Sequence, residues 1–164
     1  MQKKRINRDL LFVLTAAAVC FGFMAFVTVV FPAVKMNYNG LITEVSGIHA
    51  VFGGEVSGEN EFIELTFKGY KFNFLVFLGY LLPLIAGIIA ALVFNSKKEL
   101  PHYIACGLCF IGAILIFLEP VLFRNVNEIK EMIDINFLAG PIIGGLLAII
   151  ASVFNISCGA MKRK

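Results

Sequence analysis

Residues 32–46 read PAVKMNYNGLITEVS, a stretch in which apolar and polar residues alternate on both sides of an Asn-Gly pair at positions 39–40. Alternation with a period of two is typical of a β-strand with one buried face. Asn-Gly tolerates positive φ at both central positions of a two-residue type I′ turn. The stretch therefore predicts a β-hairpin, and counting outward from the turn places Lys35 opposite Glu44.

One face of this hairpin is predicted to pack over the outer ends of helices. A small sheet without a disulfide is only marginally stable in water, and no cysteine lies between residues 32 and 72. Contact with helices must therefore support the hairpin, which leaves Lys35 and Glu44 on its exposed face. The predicted packing face comprises Val34, Met36, Tyr38, Leu41 and Val45.

The rest of this loop predicts a third strand and an exposed tip. Apolar and polar residues alternate again over 63–68, and the alternation changes parity after Gly69. A glycine at such a change indicates a β-bulge. Residues 46–54 predict one short helical turn, and the acidic stretch 55–61 predicts an exposed loop tip. We therefore expect residues 32–72 to form one antiparallel sheet of about three strands.

Four long apolar runs dominate the remainder of the 164-residue chain. The composition is 59% hydrophobic, above the ~45–50% usual for a soluble domain, and the mean hydropathy is +0.88. Each run is close to the ~20 residues that cross a bilayer as a helix. The sequence thus predicts a single domain, residues 1–164, that is an all-α membrane bundle of four transmembrane helices with a small antiparallel β-sheet in its first extracellular loop. The runs are Leu10–Phe31, Phe74–Phe94, Tyr103–Phe123 and Phe137–Ile156.

Lysine and arginine are concentrated on one side of the predicted membrane. They cluster before the first run, between the second and third runs, and after the fourth, whereas the other side carries most of the acidic residues. Because short cytoplasmic segments carry the excess of basic residues, both termini are predicted to be cytoplasmic. The first run is longer than the apolar core of a signal peptide and is expected to remain as an anchor. This division of charge predicts a multi-pass cell-membrane protein that contacts the lipid bilayer and has no nucleic-acid partner.

Small residues recur at every fourth position of the fourth run. This spacing places them on one helix face, where small side chains let a second helix backbone approach closely. We expect this face to contact another helix, either in the same chain or in a partner. Its members are Gly140, Gly144, Ala148 and Ser152.

Glu119 is the one carboxylate inside an apolar run. A carboxylate within the membrane suggests proton or cation coupling. Its position near the outer end of the third run, just before Pro120, also allows a structural role in which it reaches the interface or pairs with Arg124 or Lys71. The scarcity of other polar residues in the four runs favours the structural role.

A histidine and two cysteines share one face of the predicted third helix. His102, Cys106 and Cys109 fall within about a 60° arc of the helix, and Cys158 is expected near the same cytoplasmic end of the fourth helix. Thiolates and imidazoles are zinc ligands, and Cys-x-x-Cys is the spacing of a dithiol redox pair. Cysteine is also a small packing residue, and two cysteines three apart in a continuous helix form a poor disulfide. Packing is therefore the preferred interpretation, with no cofactor and no metal expected.

The order of helix, sheet-forming loop, helix, short inner turn, helix, short outer loop and helix resembles the claudin-like tetraspan layout. The glycine-bracketed segment 47–53 occupies a place comparable to the claudin loop motif, although the chain has no tryptophan and the first loop has no cysteine. The chain also resembles small four-helix membrane proteins of Gram-positive bacteria, with Phe-Pro-Ala at 31–33 and Val-Phe-Gly at 51–53. These resemblances imply a four-helix bundle with an extracellular sheet and supply no catalytic residue.

Three functions are compatible with these features. The preferred one is a non-enzymatic structural or auxiliary interaction subunit that presents an acidic outer sheet to a membrane-protein partner or to a second copy of the chain. The first alternative is a small proton- or ion-coupled transport component centred on Glu119. The second alternative is a membrane thiol or metal protein that uses Cys106 and Cys109.

Overall fold

The chain consists of six helices and five strands in the parts that its computed structural model describes, which are residues 8–38, 41–59, 64–129 and 133–163. A single 3-10 turn, Thr28–Val30, extends the first helix. In chain order the elements are α1 (Arg8–Val27), β1 (Pro32–Tyr38), β2 (Leu41–Ser46), α2 (Gly47–Phe52), β3 (Gly54–Glu59), β4 (Glu64–Tyr70), α3 (Phe74–Leu92), α4 (Leu100–Phe117), α5 (Glu119–Val126), β5 (Asp134–Phe137) and α6 (Ala139–Lys162).

Four of the helices, α1, α3, α4 and α6, are long and apolar enough to cross a membrane. Helix α1 packs on α3 and α6, and α4 packs on the same two helices, so the four form a ring of antiparallel neighbours. Only 28% to 44% of the residues in each span are buried. The outward surface is nevertheless apolar, with exposed side chains such as Phe110, Ile111, Leu146 and Val153. The prediction of four membrane-compatible helices is confirmed.

The ends of the long helices differ from the predicted apolar runs because helix hydrogen bonding and hydropathy do not stop at the same residues. The third run continues to Phe123, with its helix predicted to end near Glu119-Pro120; α4 ends at Phe117, and α5 begins at Glu119 as a separate helix. The fourth run was predicted to begin at Phe137. That residue lies in β5, and α6 extends from Ala139 to Lys162.

The predicted hairpin is present with the predicted register. Strands β1 and β2 pair antiparallel, with Tyr38 opposite Leu41 and Lys35 opposite Glu44. The prediction for the third strand of this sheet was wrong. The sheet order is β2-β1-β5, so the third strand comes from the segment just before α6 and places Met36 opposite Ile135.

The stretch predicted to supply that third strand forms a second hairpin instead. Strand β4 pairs with β3, which occupies most of the predicted exposed tip, and Ile63 lies outside the described residues. The predicted bulge is confirmed, because Gly54 faces Tyr70 while the next pair is Val56 with Phe67. Gly69 has φ of 84°, a conformation that glycine adopts without the steric cost of a Cβ. The short helical turn predicted before β3 is α2.

The buried face of the three-stranded sheet packs on the short helices. Val34, Met36 and Val45 form one apolar cluster with Ala50 of α2 and Phe123 of α5. The expected contact with helix ends is therefore made through α2 and α5, and Lys35 and Glu44 lie on the other face, as predicted. The side chains of Tyr38 and Leu41 lie outside the described residues.

Backbone hydrogen bonds tie this assembly to the long helices. The amide of Gly47 donates to the Phe31 carbonyl at 3.0 Å, and the amide of Leu138 donates to the Ala33 carbonyl at 3.0 Å. We call the ends of the four long helices that carry the strands the sheet end. The other ends, where α1 begins, α3 turns into α4 and α6 finishes, form the basic end.

Candidate functional site

A buried carboxylate and a tyrosine hydroxyl meet at the sheet end. Glu119, the first residue of α5, has no solvent exposure, and its Oε2 accepts a hydrogen bond of 2.6 Å from the Tyr80 hydroxyl on α3. The backbone supports this position because the amide of Leu118 donates to Ile114 and the amide of Leu122 donates to Leu118. Hydrogen-bonded turns thus continue across the junction between α4 and α5 and hold the carboxylate against α3.

Apolar side chains surround this pair. Tyr80 clusters with Val51, Val76 and Ile116, all of which are fully or almost fully buried. Burial raises the pKa of Glu119 from its ordinary value of 4.5 to about 7, and the hydrogen bond from Tyr80 opposes that rise. Its Oε1 makes no hydrogen bond to any described residue. Glu119 is thus a carboxyl group that can bind or release a proton near neutral pH.

Neither predicted partner of Glu119 pairs with it. The guanidinium of Arg124 donates through Nη2 to the Ile133 carbonyl at 2.7 Å, which ties α5 to the segment before β5. The ammonium of Lys71 lies 2.8 Å from the Glu128 carboxylate in a solvent-exposed ion pair. The prediction that Glu119 reaches the interface was also wrong, because the side chain is turned inward and covered on all sides.

Replacing Glu119 with Gln is expected to remove one component of the pH dependence of stability. In the native chain the folded state holds the proton more tightly than the unfolded state, so this contribution is complete below pH 4.5 and is lost as the pH rises through about 7. Gln remains neutral throughout that interval. Unfolding in detergent, followed across this pH range for both chains, measures the difference.

Tyr80→Phe is the matched variant for this test, since it removes the hydrogen bond that lowers the pKa of Glu119. The loss of stability should then begin at the same pH, near the ordinary pKa of 4.5, and extend to a higher pH than in the native chain. If the native chain and Glu119→Gln lose stability in parallel between pH 4.5 and 7, the carboxyl group does not titrate there.

The two cysteines of α4 face α6. Cys106 Sγ lies 3.1 Å from Ser152 Oγ, and the Ser152 hydroxyl also lies 3.1 Å from the Cys106 carbonyl. Cys109 is buried, with its sulfur 3.9 Å from Asn155 Nδ2. Both thiols are free, and each has its own polar neighbour on α6.

The other two residues of the predicted cluster have different surroundings. Cys158 lies 3.6 Å from the Thr15 hydroxyl of α1. His102 is fully buried and has Asn155 as a polar neighbour, as Cys109 does, although neither ring nitrogen makes a hydrogen bond of good geometry to a described residue. No group of three or more His, Cys, Asp or Glu side chains suited to a metal ion occurs among the described residues. The three residues of α4 thus face α6, and Cys158 of α6 faces α1. The four side chains do not converge on a common metal position.

The small-residue face of α6 contacts helices of the same chain. A Cβ added at Gly140 would lie 2.9 Å from the Pro32 carbonyl oxygen, and one added at Gly144 would collide with the Thr28 hydroxyl. Ala148 is fully buried beside Ala25 and Ala113. Ser152 contacts Cys106 of α4, so all four small residues of α6 point into the bundle.

Two polar residues of the interior, Tyr80 and Asn155, had no place in the sequence-based site. Tyr80 lies about 9 Å into α3 at 1.5 Å per residue, whereas Glu119 lies two residues beyond the end of α4. The two meet because the ends of α3 and α4 are offset, with Gly79 next to Leu115 and Ile116, and no sequence signal indicates that offset. Asn155 donates to the Ala151 carbonyl of its own helix at 3.1 Å. A bond within one helix does not reveal which neighbouring helix the side chain faces.

No family model matches this chain, and no curated protein matches it either.

Proposed function

We propose that the protein is a non-enzymatic multi-pass membrane protein that presents a rigid sheet at one membrane face as a binding surface for a membrane-protein partner. The proposal rests mainly on one observation. The segment after α1 and the segment before α6 both contribute strands to the same sheet. Strand β5, just before α6, closes onto the hairpin that follows α1. A loop that only connected two helices would not need such pairing, whereas a binding surface benefits from being held in one shape.

The exposed face of this sheet has the polar character of a recognition surface. One cross-strand row comprises Glu44, Lys35 and Asn136, and the neighbouring row comprises Ile42, Asn37 and Asp134. Ile42 is 46% exposed, a large apolar side chain among polar ones. An exposed apolar residue surrounded by polar groups is a common centre for a protein contact.

The outward surface of the long helices supports placement in a bilayer. Four spans whose outward residues are apolar would leave a large hydrophobic area in water, which soluble proteins avoid. The lysines and arginines at the basic end then favour the cytoplasmic side for both termini and the external side for the sheet.

In-cell photo-crosslinking tests the proposal. A crosslinking amino acid at Glu44, on the exposed sheet face, is expected to give one dominant adduct, either with another membrane protein or with a second copy. The control position is Lys98, which is exposed at the basic end and should not give that adduct. Smears of many weak adducts from Glu44, indistinguishable from those of Lys98, would contradict a dedicated binding surface.

Cysteines introduced at the same two positions, in a chain without its native cysteines, measure the orientation of the protein in the membrane. Glu44→Cys should react with an impermeant maleimide on intact cells, and Lys98→Cys only after permeabilisation. The reverse pattern would place the sheet inside the cell and restrict the search for a partner to that side.

A second candidate is a proton-coupled transport component, which the buried carboxyl group of Glu119 favours. The cluster of Ala25, Ala113 and Ala148 weighs against it, because it lies in the half of the bundle next to Glu119 and contributes no polar side chain to a proton path. A proton flux into proteoliposomes that Glu119→Gln abolishes, in a variant that assembles normally, would select this candidate over the first.

A further inference from the structure

Three basic side chains line a cavity at the basic end of the bundle. Arg8 from the start of α1, Lys97 from the turn after α3 and Lys162 from the end of α6 surround a space of about 240 Å³. The remaining lining residues are uncharged, so within the described parts of the chain no carboxylate contributes to this wall. They are Leu11, Phe94, Asn95 and Ser96. The cavity is therefore suited to an anion.

Lys162 is an unusual member of this lining because it is buried. Its residue is only 8% exposed, and its Nζ donates to the Val93 carbonyl at 2.7 Å and the Phe94 carbonyl at 3.1 Å. These bonds use two of the three N–H donors of the ammonium group. No described carboxylate forms an ion pair with it. An ammonium group partly withdrawn from water without a carboxylate partner is costly, and an anion bound in the cavity would offset that cost.

An apolar groove between α1 and α3 begins where this cavity ends. Phe94 lines both the basic cavity and a neighbouring space of about 320 Å³, and Phe12 lies against it with ring centroids 5.8 Å apart. The floor of the groove consists of small side chains, namely Thr15, Ala16, Cys20 and Ala91. A second space of about 290 Å³ continues the groove through Val19 and Ala91 as far as Phe23 and Leu84.

The dimensions of the groove fit one half of a bilayer. From Phe12 to Phe23, α1 advances about 17 Å at 1.5 Å per residue, and one leaflet contributes roughly 15 Å of the hydrocarbon core. The apolar length of this groove matches the acyl chain of a phospholipid, and the basic residues at its mouth match an anionic headgroup. A soluble phosphate compound would use only the mouth.

We propose that this groove binds one anionic phospholipid, with the phosphate at Arg8, Lys97 and Lys162 and an acyl chain along the α1–α3 groove. The inference rests on the proposed placement in a membrane, and it does not involve the sheet end. Basic cavities between membrane helices on the cytoplasmic side are suited to anionic headgroups, and each Lys or Arg near an anionic surface contributes about 1 kcal/mol, or about five-fold in affinity.

The headgroup is tested by native mass spectrometry of the full chain after transfer from phosphatidylcholine nanodiscs containing phosphatidylglycerol. One phosphatidylglycerol per chain should be retained in preference to phosphatidylcholine. Lys97→Gln and Arg8→Gln should each reduce that retention about five-fold. Lys98→Gln is the matched control, since Lys98 is exposed on the same turn and does not line the cavity. Equal retention of phosphatidylcholine, or an equal loss with Lys98→Gln, would overturn the proposal.

The groove is tested separately by filling it. Ala91→Phe places a ring on the floor shared by both apolar spaces and should abolish retention, whereas Ala160→Phe, at an exposed position of α6, should not. Competition by glycerol phosphate alone, at concentrations similar to those of the lipid, would show that the acyl chain is irrelevant and would also overturn the proposal. If the protein enters nanodiscs but shows no lipid preference, only the proposed lipid site is wrong. If it does not enter them, the proposed membrane placement is wrong.

Discussion

Replacing Met36 with Asp is expected to disorder the three-stranded sheet while the long helices remain folded. Met36 is only 2% exposed, and its sulfur accepts a hydrogen bond of 3.7 Å from the Tyr70 hydroxyl. Burying a methionine side chain is worth about 1.5–3 kcal/mol, and an unpaired carboxylate in its place costs several kcal/mol more. A sheet of three short strands has little stability beyond this packing.

Amide hydrogen exchange in nanodiscs measures the result strand by strand. Met36→Asp should accelerate exchange in β1, β2 and β5 and leave α3 and α4 protected. Lys35→Ala is the matched control on the adjacent position of the same strand, where the side chain lies on the exposed face and an exposed cross-strand pair contributes at most about 1 kcal/mol. If the two variants loosen the sheet equally, the assignment of its faces is wrong.

Replacing Gly112 with Leu is expected to prevent normal packing of α3 against α4. A Cβ at this position would lie 2.7 Å from Cδ of Pro83 and 2.9 Å from the Gly79 carbonyl oxygen. Neither neighbour can rotate away, since one belongs to a proline ring and the other to a helix backbone. Overpacking of this kind costs about 1–3 kcal/mol, and the rest of a leucine side chain adds further collisions.

Gly107 provides the comparison within the same helix, because a Cβ added there meets nothing within 4 Å. Gly107→Leu should leave the stability unchanged or raise it slightly, since leucine favours the helix over glycine by about 0.5–1 kcal/mol. Unfolding midpoints of both variants in the same detergent decide the matter. Equal destabilisation by the two changes would mean that α3 and α4 do not approach closely at Gly112.

Turn chemistry explains why the first hairpin could be predicted with its register. Everything that determines the pairing of Lys35 with Glu44 lies within a few residues of the Asn-Gly pair. Strand β5 has four residues and pairs with a strand at the other end of the sequence, so no local pattern identifies its partner. A non-local pairing of this kind depends on how the helices bring the two segments together.

The hydrogen-bond partner of Glu119 also depends on contacts between parts of the chain that are far apart in the sequence. The sequence singled out this carboxylate, because an acid within an apolar run is conspicuous. Its partner was wrong because Arg124 is a neighbour in the sequence, whereas Tyr80 becomes a neighbour only when α3 packs on α4. The end of α4 was predicted close to its observed place, because Glu119 and Pro120 interrupt the apolar run directly after Leu118.

The position of β5 in the chain has a consequence for the order of assembly. Strand β1 is the central strand of its sheet only when β5 is present, and β5 is synthesised after α4 and α5. Until then one edge of β1 has unpaired backbone groups, which are open to pairing with another chain. Because β5 leads directly into α6, packing of this last long helix against α1 and α4 brings β5 to the hairpin. The sheet is therefore completed only when α6 joins the bundle, and a chain interrupted before Asp134 would have an open strand edge.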